Sequence, residues 1–144
     1  MKIYNEVNDE NVRKAASVMM KHCQDNQFLK LIQNVSQFNH TLMPSNYVAS
    51  ILFTYSIDCE ITLKPYKTMN PFSSVIGYAD GTTIYINERK LYLPVHERAG
   101  NLYHEFCHLA GFNHDGNRPN AYNLRTVPYL CGQLFSKYIQ EIYG

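Results

Sequence analysis

Between residues 104 and 114 the chain reads His-Glu-Phe-Cys-His-Leu-Ala-Gly-Phe-Asn-His, and no other stretch restricts the fold so tightly. For His104 and His108 to share one ion at ~2.1 Å they must stand one turn apart on the same face of a helix, and the chain must then turn back quickly to bring in His114. Glycine at 111 answers the second demand, since it enters the left-handed region without a Cβ clash. Glu105 is placed toward the side where a water on the ion would sit. Three nitrogen ligands leave a fourth position for that water, which is the donor count of a catalytic zinc site.

At this chain's composition a bare HExxH arises by accident in about one sequence of this length per hundred, and the full eleven-residue pattern in roughly two per hundred thousand. The surrounding periodicity agrees with a helix. After Pro94, the apolar residues Val95, Ala99, Leu102, Phe106 and Leu109 follow alternating steps of four and three. Glu97, Asn101, His104 and His108 repeat those steps on another face, so one face is set to pack and the other to line a cleft.

The pattern resembles that of the metzincins, zinc metallopeptidases with the motif HExxHxxGxxH or HExxHxxGxxD followed by a methionine-containing turn beneath the metal. The resemblance implies His104, His108 and His114 as ligands of one Zn2+ per chain and Glu105 as general base. Asp115 is the alternative third ligand, and the motif register favours His114. It also implies a zincin-like α+β domain whose strand before the active-site helix is an exposed edge that holds extended substrate. The β-branched and aromatic run Thr82 to Asn87, after the turn-like Asp80-Gly81, is the expected edge. No methionine follows Met69, so the methionine turn is missing. Thr126 to Gly132, with its proline and glycine, is expected to form a substitute turn under the metal, and Tyr129 within it is a candidate oxyanion donor.

A chain of 144 residues, 45% hydrophobic, with twelve tyrosines and seven phenylalanines, suits one domain over residues 1 to 144. The net charge of +1, with Lys and Arg scattered, gives no electrostatic footprint for nucleic acid or an anionic membrane. No apolar run approaches the ~20 residues of a membrane span, and Met1 to Glu10 lacks the apolar core of a secretory signal, so a cytoplasmic location is expected. The four cysteines, Cys23, Cys59, Cys107 and Cys131, are scattered and expected to be buried free thiols.

N-terminal helices are expected first. Asn8 or Asp9 would cap one bearing Val12, Ala16, Met19 and Cys23; a second would carry Phe28, Leu29, Ile32, Val35 and Phe38. Ser45 would cap a third through about Phe53. A small mixed or antiparallel sheet is expected from Cys59 to Asn87, with a hairpin at Asp80-Gly81, and a last helix over Val127 to Ile142. His22 and His40 have no ligand spacing or partner carboxylate in sequence and read as solvated or structural, while His96 lies two turns from His104, too far for the same ion.

The chemistry implied is metal-assisted hydrolysis through a zinc-bound water, with Glu105 taking the water's proton and passing it to the leaving group. A protein or peptide substrate, extended along Thr82 to Asn87, makes the chain a zinc-dependent metalloendopeptidase. Two other readings use the same residues: a zinc-stabilised binding module without catalysis, and a zinc hydrolase of a non-peptide amide or ester.

Overall fold

Five α-helices and four β-strands frame the chain, and their order already separates the scaffold from the site. In the computed structural model, which describes residues 1–144, strand β1 (Lys2–Asn5) is followed by helices α1 (Glu10–His22), α2 (Asn26–Gln33) and α3 (Ser45–Asp58). Strands β2 (Glu60–Tyr66), β3 (Gly77–Asp80) and β4 (Thr83–Asn87) come next, then α4 (Val95–Leu109) and α5 (Val127–Tyr143). The fold is α+β, with five helices and a mixed four-stranded sheet. No helix is long and apolar enough to cross a membrane.

Local chemistry accounts for most boundaries. Asp9 starts α1 by accepting the Val12 N–H at 3.0 Å, which satisfies a donor with no partner inside the helix. Helix α2 stops at Gln33, so Val35 and Phe38 leave it, although Phe38 still reaches the core. Ser45 is not the cap of α3. Pro44 holds that position in extended conformation, while the Ser45 hydroxyl donates to the Val35 carbonyl at 2.5 Å and ties α3 to the segment after α2. The helix runs on to Asp58, beyond the Phe53 limit that the sequence suggested.

The sheet order is β1-β2-β4-β3. Strands β1, β2 and β4 are parallel neighbours, and β3 joins β4 antiparallel through a turn at Gly81, whose φ of 63° suits glycine. β1 is too short and too exposed to show an apolar period, so the sequence reading missed it. The expected edge strand also needs correction. Thr83–Asn87 is paired on both sides, with β2 and β3, and Ile84 and Ile86 are fully buried between them. An apolar strand gains most from the covered interior of a sheet, so the hairpin folds its shorter, more polar arm outward. The free edge beside α4 is therefore β3, Gly77–Asp80.

Ile61, Leu63, Ile84 and Ile86 form the sheet's buried face, and the helices cover it in one continuous core. At its centre lies α4, against α1, α5 and the sheet. Tyr103, fully buried next to His104 in sequence, meets Phe28 edge-on at 5.0 Å and stacks on Phe135 at 5.0 Å, so three helices share one aromatic contact.

A second correction concerns Thr126 to Gly132, which forms no turn. Thr126 is the extended cap of α5, and Pro128 occupies the helix's first turn, where a missing N–H costs nothing. Gly132 is helical. A Cβ there would lie 2.8 Å from the Gly100 carbonyl oxygen and 3.0 Å from His104 Cβ; one on Gly100 would lie 2.7 Å from the Gly132 oxygen. The two glycines thus let α4 and α5 cross backbone to backbone. Gly132→Ala is expected to lower stability by about 2 kcal/mol, the usual cost of forcing a methyl group into a packed contact, measured by urea unfolding. A change below ~0.5 kcal/mol would show that the helices part freely.

Candidate metal centre

Helix α4 ends as its glycine predicts. Gly111 takes φ 101°, its N–H bonds to the His108 carbonyl at 3.0 Å, and the Phe112 N–H bonds to the Cys107 carbonyl at 3.0 Å. This paired reversal satisfies the helix's last carbonyls and buries Phe112, which anchors the turn. It turns the chain so that His114 comes back over α4. His104, His108 and His114 then offer ring nitrogens that all lie within 4.8 Å of one another, and the cluster can hold a metal ion.

The hydrogen bonds fix which nitrogen each ring presents. Nδ1 of His108 donates to the Phe112 carbonyl at 2.9 Å, and Nδ1 of His114 donates to the Gly116 carbonyl at 2.6 Å. A carbonyl only accepts, so both protons sit on Nδ1 and both Nε2 lone pairs are free. These Nε2 atoms face each other at 3.1 Å. Two bare lone pairs at that range repel unless a cation lies between them, and two nitrogens on one tetrahedral zinc stand ~3.3 Å apart. The donor set fits a metal.

Electrostatics agree. Burial, and then the neighbouring His108 and His114, pull the His104 imidazole down to about 3; burial and His114 lower His108 as well. Both rings are therefore neutral near pH 7, as ligands must be. Glu105, 5% exposed, is pushed up to about 7 by burial alone. It lines the same cleft as the three histidines.

Tyr129 lies in the first turn of α5, not in a loop. Its ring is edge-on to His104 at 4.6 Å and tilted against His114 at 4.7 Å, and its hydroxyl reaches the Asn117 carbonyl at 3.5 Å. Asp115 does not join the cluster. Its backbone is held by Asn123, whose Oδ1 accepts the Asp115 N–H at 3.0 Å and whose Nδ2 donates to the carbonyls of Asp115 and Arg118, the latter at 2.8 Å. Asn123 is fully buried, clamps the loop that carries His114 and sits just before the α5 cap. Sequence reasoning passed over it, because an asparagine in a polar loop carries no periodic signal.

Other histidines stand apart. His22 does have a partner carboxylate: Nδ1 meets Asp25 Oδ2 at 2.7 Å and Nε2 meets the Tyr143 hydroxyl at 2.6 Å, which pins the end of α5 to the α1–α2 turn. The sequence reading overlooked that carboxylate three residues on. His40 contacts Tyr122 at 3.2 Å. All four cysteines are free, and Cys23, Cys107 and Cys131 are buried as expected, whereas Cys59 is only half-buried after the end of α3; burial raises the Cys107 thiol.

The three histidines and Glu105 open into a cleft of about 960 Å3 bounded by β3, α4, α5 and the loop from Asn113 to Pro119. Comparison of the chain with protein-family models, with curated proteins and with solved structures finds no match. His114→Ala is expected to weaken divalent-metal binding by well over a hundredfold and Asp115→Ala by no more than tenfold, read by chelator competition. The reverse order would assign the third donor to Asp115.

Proposed function

We propose that this chain is a zinc-dependent metalloendopeptidase of zincin-like architecture, as the metzincin-like motif implies. The observation that carries the reading is the convergence of His104, His108, His114 and Glu105 in a cleft whose far wall is the free sheet edge Gly77–Asp80. His104, His108 and His114 would hold the zinc, which when bound lowers the pKa of a water and polarises a carbonyl. One zinc per chain is proposed, since the chain offers one such cluster.

Glu105 accepts the proton of the attacking water and returns it to the leaving nitrogen. Its buried position favours this, because a carboxyl near 7 can take a proton and give it back at neutral pH. The edge strand is moved one strand outward from the sequence expectation, to β3. Its unpaired backbone groups offer hydrogen bonds to an extended chain, which favours a polypeptide substrate over a small ester or amide. Tyr129, against two of the histidine rings, is proposed to donate to the oxygen that gains negative charge as the carbonyl is attacked.

Two substitutions test the assignment. Glu105→Gln should keep one zinc per chain and the unfolding temperature of the wild type while peptide hydrolysis falls below detection, since glutamine is nearly isosteric but accepts no proton at neutral pH. Activity within a few-fold of wild type on a peptide library would remove Glu105 as the base; partner binding without any cleavage by the wild type would favour the zinc-stabilised binding module. Tyr129→Phe should leave zinc content and fold intact and lower kcat by ~10² to 10³. Unchanged turnover would reduce Tyr129 to a packing residue.

A further inference from the structure

Along α4 the residues Glu97, Asn101, His104 and His108 all line the cleft, and Asn101 stands one turn before the first histidine. Its amide is oriented from beneath. Nη1 of Arg98 donates to Asn101 Oδ1 at 3.1 Å, and Nη2 of Arg98 donates to the Lys90 carbonyl at 2.6 Å. A guanidinium has donors and no acceptor, so the amide oxygen must be the atom that faces Arg98, and the NH2 group must point away from it. Arg98 is 1% exposed and cannot leave this position without uncovering a buried charge. The same oxygen lies beside the sheet edge: a Cβ on Gly77 would be 3.7 Å from Asn101 Oδ1.

No hydrogen bond within the chain uses the Nδ2 of Asn101. A buried arginine thus fixes the amide of Asn101, which lines the cleft one turn before His104, and leaves its donor for a ligand. The ligand's acceptor is identified by its surroundings. Asp80 and Glu97 line the same cleft and no lysine or arginine does, which disfavours an anionic group there. A neutral carbonyl oxygen remains.

We infer that Asn101 is a substrate-binding residue whose Nδ2 donates to a backbone carbonyl of a polypeptide lying extended in the cleft along α4, one helical turn from His104. This rests on the peptidase reading and names how the substrate chain is gripped. Arg98 does not touch substrate; it acts as a positioning residue through Asn101.

The test uses the zinc-loaded protein and two peptide hydroxamates, one residue and three residues long, with affinities measured by calorimetry. The longer probe should bind the wild type at least tenfold tighter, roughly what one or two added hydrogen bonds supply. In Asn101→Asp the acceptor for Arg98 is kept and becomes a carboxylate paired with the guanidinium, so the protein should stay folded with unchanged zinc content, but the donor is gone and the advantage of length should fall by about tenfold. Asn101→Ala, which removes both groups, should lose the same advantage, and the one-residue probe should bind all three proteins alike. If Asn101→Asp and Asn101→Ala keep the wild-type advantage of length, the inference is overturned while the peptidase reading stands. If the wild type binds both probes equally, the inference is likewise overturned; if the zinc-loaded wild type binds neither, the peptidase reading fails and takes the inference with it.

Discussion

The contact on which the site depends is the crossing of α4 and α5 at Gly100 and Gly132, where neither helix has a side chain to keep the other away. Because the backbones touch there, the first turn of α5 comes under His104, and Tyr129 lies against two histidine rings. Behind the crossing, Tyr103, Phe28 and Phe135 close the gap with aromatic contacts at about 5 Å. The helix that bears the first two histidines is therefore held from below by the very element that completes the floor of the cleft. A rigid floor matters chemically, since a donor set displaced by even an ångström loses much of its ability to bind and orient a ligand.

How much of this was legible depends on the range of the interaction. His104, His108 and Gly111 could be read directly, because a helical turn and a glycine reversal are set by residues three to five apart. The same locality made Asp9 visible as a cap, Asp80-Gly81 as a hairpin turn, and Pro94 as a helix start. His114 follows from the register of the same motif, and the structure brings it beside the other two.

What could not be read is what two distant segments do to each other. Gly132 looked like a turn residue because nothing nearby shows that Gly100 lies opposite it. Pro128 reinforced that error, since proline marks a turn and the opening of a helix equally well. The strand order failed for a similar reason: the composition of Thr83–Asn87 says strand, but only pairing with Glu60–Tyr66 decides that it is interior. Asn123 and Arg98 are buried polar residues that reach backbone groups outside the main helices and strands, Asp115 and Lys90 among them, and buried polar groups of this kind have no period to betray them. Asn101 sat in plain view on the histidine stripe; its significance needed Arg98.

The strand connections carry a consequence for how the chain assembles. β3, β4 and α4 follow one another closely, and a hairpin with a neighbouring helix closes through short loops. β1, by contrast, pairs in parallel with β2, Lys2 opposite Glu60, so α1, α2 and α3 must be laid down before that ladder can close. Loop-closure entropy makes such pairing the slow part of assembly. When the whole chain refolds, the hairpin and α4 come together mainly from near neighbours, while the opposite margin of the sheet waits for Lys2 to meet Glu60. Both margins remain unpaired edges in the finished molecule, and the one beside α4, β3, is the one that faces the histidines.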